Sequence, residues 1–136
     1  MYKTILVPVE SSHIDESAAT IEMASSYGND ETKIHLLNVF DEIPKWASMN
    51  LPKDVVNESI QLIENGLQSI AKEAGEQVDS EVRVGHSYKT ILEVAEEINA
   101  DLIIIASHQP DVQDYFLGST AAKVVRHARC SVLVLR

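Results

Sequence analysis

Five short apolar runs constrain this chain most: 4–9 (TILVPV), 34–40 (IHLLNVF), 81–84 (EVRV), 102–106 (LIIIA) and 131–135 (SVLVL). They are rich in Val and Ile, and several are apolar at consecutive positions instead of alternating. That pattern suits strands buried on both faces, as in a parallel sheet. Helical patterns fill the gaps. Val56, Ile60, Ile63, Leu67, Ile70 and Ala74 recur at spacings of three and four, which marks one face of a long helix, with Gly75 as its C-cap. A first helix is expected over about 15–27, with Ala18, Ile21 and Ala24/Ser25 inward, ending at Gly28-Asn29. A third, about 88–99, turns Ile91, Leu92, Ala95 and Ile98 inward, and a fourth, about 119–128, turns Ala121, Val124, Val125 and Ala128 inward.

Strand and helix thus alternate as βαβαβαβαβ. Right-handed crossovers make this an α/β fold, a doubly wound five-stranded parallel sheet with four helices on its two faces. With no repeat, low-complexity tract or linker, residues 1–136 are expected to form one domain. Ligands of such sheets sit beyond the strand C-termini where the strand order reverses. The candidate loops are 8–13, 40–51 and 107–118. The last strand is apolar and expected at an edge, where a bare ladder invites association. A second copy is the simplest cover, so a homodimer through the strand from Ser131 to Arg136 is expected.

A net charge of −10 disfavours nucleic acid as partner, because phosphate neutralisation needs a Lys/Arg surface. It leaves room for a nucleotide held by backbone N–H groups. No apolar run approaches the ~20 residues of a membrane span, and the N-terminus MYKTILVPVE has no signal-peptide pattern, so a cytoplasmic protein is expected. The single cysteine, Cys130, excludes an internal disulfide and reads as a small buried apolar residue.

Gly118-Ser119-Thr120 stands where the fourth helix begins. A helix N-terminus offers unpaired N–H groups and partial positive charge, both complementary to phosphate. The alternative is that Ser119 or Thr120 simply caps the helix. Ala106, Ser107, His108 and Gln109 leave another strand at the same crevice. Strand one ends in Pro8, Val9 and Glu10; Pro8 is read as ending regular pairing, and the Glu10 carboxylate as accepting from a ribose hydroxyl or base amine, or else as capping or solvated. Neither GxxxxGK[ST] nor GxGxxG occurs, so machinery for efficient phosphoryl transfer cannot be named. His108, Asp111 and Asp114 read as ordinary turn chemistry, not as a triad or metal site. Trp46 and Met49, in a long loop, are candidates for covering the ligand, packing in a dimer or joining the local core.

KTILVPVESS, HLLNV and IIIASHQPDVQDYFLGSTAAKVVRHARCSVLVLR together resemble the universal stress protein family over essentially the whole chain, most of all its small single-domain F/G-type bacterial branch. The resemblance implies a sheet of order 3-2-1-4-5, adenine nucleotide alpha hydrolase-like (Rossmann-like), dimerised through strand five. Many members bind ATP through G-x2-G-x9-G-[ST]. Here Gly118 and Ser119 match its end, with Thr120 beside them. The two earlier glycines fall on Ala106 and Gln109, and the loop is one residue shorter. Glu10 replaces the family's aspartate, and Val39 takes the position whose backbone meets adenine. Ser107, His108 and Gln109 offer side-chain donors in place of lost N–H contacts.

The expected function is therefore a cytosolic ATP-binding stress protein. It would be a homodimer acting through its nucleotide state, with Mg²⁺ held through the phosphates and slow or no turnover. Two alternatives stand beside it: a nucleotide-free interaction module, and a weak ATPase or self-phosphorylating protein using Ser11, Ser12, Ser107 or Ser119.

Overall fold

The computed structural model describes residues 1–107 and 117–136. The elements run β1 (Thr4–Pro8), a 3-10 helix (Ser11–Glu16), α1 (Ser17–Ser26), β2 (Lys33–Asp41), α2 (Lys45–Ser48), α3 (Lys53–Ala74), β3 (Val78–Gly85), α4 (Ser87–Glu97), β4 (Leu102–Ala106), α5 (Ser119–His127) and β5 (Ser131–Leu135). The strands form one parallel sheet in the expected order, β3-β2-β1-β4-β5. Five α-helices, not four, are present among the described residues, because the KWAS stretch of the β2–α3 connection folds into the single turn α2.

Successive strand residues point to opposite faces, and the sequence fills both. Ile5, Val7, Ile34, Leu36, Leu102 and Ile104 pack with Ile21 and Ala24 of α1 and Leu67 and Ala71 of α3. Leu6, Leu37, Ile103 and Ile105 pack on the other side with Ile91, Val94 and Ala95 of α4 and Ala121 and Val124 of α5. Consecutive apolar residues are thus the mark of a sheet sandwiched between two helix layers. Gly75, with φ 128°, sits in the left-handed region and ends α3 as a C-cap.

Six side chains depart from the expected pattern. In α1 the inward stripe is Ser17, Ile21 and Ala24, while Ala18 and Ser25 are exposed. The 3-10 turn before it delays the helix start to Ser17 and so sets the face that meets the sheet. Val125 of α5 lies beside the Ala121–Val124 stripe and is 45% exposed. Trp46 and Met49 are 76% and 86% exposed, which removes them from the local core. Cys130 packs against the α4–α5 core but is only partly buried, and that burial pushes its thiol pKa up.

Strand β3 extends well beyond the four residues expected. Its register sets Asp79 beside His35, Glu81 beside Leu37 and Arg83 beside Val39. The His35 ring nitrogens meet Asp79 and Glu81, and Arg83 pairs with Glu81 and with Glu97 of α4. These bonds to Arg83 hold the Glu97 carboxyl below its ordinary range. This edge of the sheet is therefore charged.

Candidate functional site

A crevice opens where β1 parts from β4, and Pro8 explains where it opens. Along a parallel strand the N–H groups point alternately to the two neighbours. Val9 N–H donates to Leu37 O of β2 at 2.8 Å, while Thr4 O accepts from Asp101 N–H at 3.0 Å on the β4 side. The proline nitrogen therefore faces β4, and proline has no N–H to donate. The β1–β4 ladder stops at Leu6↔Ile103, whereas β1–β2 runs on to Pro8↔Leu37. Pro8 thus ends pairing on one side only; the expectation that it ends regular pairing altogether is corrected by the Val9–Leu37 bond.

Beyond these strand ends lies a cavity of about 580 Å³, within the roughly 300–1,000 Å³ typical of small-molecule sites. Pro8, Val9, Glu10, Val39, Ala106 and Thr120 all line it. Ser107 and Gly118, neighbours in sequence of that wall, are joined by a 2.8 Å bond in which Gly118 N–H donates to Ser107 Oγ. His108 and Gln109, with Asp111 and Asp114, lie outside the described residues. Among the described residues no group of three His, Cys, Asp or Glu side chains could hold a metal ion.

The N-terminus of α5 answers the capping question. Gly118 is the N-cap, with φ −58° and ψ 152°, and Ser119 and Thr120 are the first helical residues. Gly118 has no side chain with which to cap the first turn, and its own N–H is taken by Ser107 Oγ. Ser119 and Thr120 are therefore not caps, and the first-turn N–H groups keep the partial positive charge that suits an anion. Gly118 needs no left-handed conformation here; what it offers is the absence of a side chain in a buried position. At the opposite wall Glu10 precedes the 3-10 helix without capping it through its side chain. Its carboxylate is exposed and stands 3.7 Å from His13 Nε2.

Three contributors were missed by sequence reasoning. Asn38, 1% exposed, lines the cavity from β2. Its Nδ2 donates to Val9 O (2.8 Å) and Ser11 Oγ (3.1 Å), which ties the chain leaving β1 to β2. Asn38 Oδ1 and Ser17 Oγ, beside the cavity, are both buried without a partner among the described residues. Buried polar atoms of this kind are costly unless a water or ligand satisfies them. Asp41, whose Oδ1 accepts from Ser87 Oγ at 3.1 Å, adds a further carboxylate at the ends of β2 and β3. The one available signal was Asn38 itself, a polar residue inside the apolar run LLNVF.

The cavity has one wall of acceptors and carboxylates and another formed by an uncapped helix start. Such a site suits a ligand with hydroxyl or amine donors at one end and an anion at the other. The Universal stress protein family matches residues 1–136. Universal stress protein G of Escherichia coli O157:H7 is 33% identical over 147 residues, covering 100% of both chains. The solved UspA of Lactobacillus plantarum superposes with a TM-score of 0.78 at 23% identity, covering 99% of this chain and 98% of that one. A universal stress protein in complex with cAMP superposes at 0.69 and 21% identity, covering 99% and 97%.

Proposed function

The chain belongs to the universal stress protein family, and from that premise we propose that it binds an adenine nucleotide, ATP above all, in the cavity between β1 and β4. The single observation that carries this reading is the polarity of that cavity, with Glu10 at one wall and the uncapped start of α5 with Thr120 at the other. The solved relative bound to cAMP supports an adenosine phosphate as the ligand class. In this reading Val39 and Pro8–Glu10 hold adenine and ribose. The phosphates lie over Ala106 and Ser107 and against Gly118–Thr120, with His108 and Gln109 completing the loop. Mg²⁺ would be held through the phosphates and would offset their charge. No general base is identified, so the bound nucleotide acts as a signal with slow or no turnover, in a cytosolic homodimer serving stress response.

The two sheet edges support the dimer part. The β3 edge carries the charged network of Asp79, Glu81 and Arg83, a feature that discourages strand addition. The β5 edge has half-buried Val132, Leu133, Val134 and Leu135 and no charged side chain within the strand. Pairing through Ser131–Leu135 would cover it.

Denaturing freshly purified protein and chromatographing the released small molecules tests the nucleotide reading. An adenine nucleotide released in stoichiometric amount is expected from the wild type, and none from Gly118→Val, which fills the buried N-cap position. The exposed Trp46 and Met49 favour the second reading, a nucleotide-free interaction module. A protein that neither carries nor takes up a nucleotide would favour it over the first.

A further inference from the structure

Building on the nucleotide reading of the cavity, we infer that Arg136 reads the length of the phosphate chain and gives this site its preference for nucleoside di- and triphosphates over monophosphates. Among the described residues that line the cavity, Arg136 is the sole Lys or Arg, against the carboxylates of Glu10, Glu16 and Asp41. An ATP phosphate chain entering a protein of net charge −10 needs a compensating cation.

The backbone fixes where this cation sits. The β4–β5 register pairs Ala106 with Leu135, and Ser107 N–H donates to Leu135 O at 2.8 Å. Arg136 is therefore the next residue after the one that pins the start of the phosphate loop. Ser107 Oγ in turn accepts from Gly118 N–H at 2.8 Å, which ties this corner to the start of α5. Among the described residues that line the cavity, the carboxylates all come from the β1 and β2 side. A guanidinium suits this place, because its planar fork bonds phosphate oxygens bidentately.

A helix start alone accommodates the first phosphate, since its partial charge fades within a turn. A full charge on a long side chain extends that attraction to the second and third phosphates. Arg136 is therefore a specificity-determining residue, with little part in holding adenosine.

Calorimetric titrations with adenosine, AMP and ATP, run with EDTA so that no Mg²⁺ substitutes for the cation, test this on the wild type, Arg136→Gln and Arg136→Lys. Arg136→Gln is expected to weaken ATP about tenfold or more, AMP less, and adenosine by no more than about twofold; Arg136→Lys restores part of the loss as a point charge. Equal melting temperatures show that the end of β5 is undisturbed. The inference is overturned if Arg136→Gln leaves ATP affinity unchanged, or weakens adenosine as much as ATP. If the wild type binds none of the three, the nucleotide reading fails and the inference falls with it.

Discussion

Asn38 is the residue on which the geometry of the crevice most depends, and it was the hardest to read in advance. Its two bonds reach residues 27 and 29 positions away in sequence, and no local pattern announces a contact of that range. Within an apolar strand a polar residue gives only a hint. Asn38→Ala should cost about 1–2 kcal/mol in urea denaturation, because Val9 O and Ser11 Oγ lose their donor. The figure is held down by removal of the orphaned Oδ1. Asn38→Asp, nearly isosteric, should cost more than Asn38→Ala, since an acceptor would then face the Val9 carbonyl. Equal stability of the two variants would show that the donor is not what matters. Glu10 and Thr120 were legible because they sit beyond a strand end and at a helix start, where the fold class directs attention, whereas Val39 was reached only through the family resemblance.

At the scale of elements, strands buried on both faces were read well because consecutive Val, Ile and Leu residues leave little alternative. Edge strand β3 was read short because Asp79 and Ser80 look like a turn until His35 is set beside Asp79. Helix α2 escaped because four residues hold no period. The amphipathic stripe of α3 was plain, although only Leu67 and Ala71 are fully buried in it. Leu67→Ala should therefore cost about 2–5 kcal/mol in chemical denaturation, through lost burial and the cavity left behind. Gly66, one residue earlier, is the opposite case. A Cβ there would meet Ile14 no closer than 3.8 Å, an ordinary contact. Gly66→Ala should raise stability by about 0.5–1 kcal/mol, as an alanine in a helix interior does. A lower urea midpoint would mean that α3 is strained at this position.

At the scale of the whole molecule, charge is distributed by position. The β3 edge is stabilised by ion pairs, the cavity is polarised, and the chain as a whole carries −10. Glu97, whose carboxyl is lowered from 4.5 by its bonds to Arg83, gives a pH signature with a definite sign. A depressed carboxyl contributes its full stability above the unfolded value and loses it as pH falls through the folded one. Glu97→Gln should thus lower the urea midpoint slightly at pH 7 and by less at an acid pH, as the wild-type carboxylate becomes protonated too. An equal deficit at both pH values would assign the effect to packing. The assembly was the least legible level, since a single chain shows its edges and not what covers them.

In the proposed reading the crevice opened by Pro8 holds an adenine nucleotide despite Ala106 and Gln109 in place of glycines. The most direct test is calorimetric titration of the nucleotide-free protein with ATP and Mg²⁺. Saturable heat near one nucleotide per chain, with a matching rise in melting temperature, is the predicted result. Neither heat nor a thermal shift at millimolar ATP would contradict it.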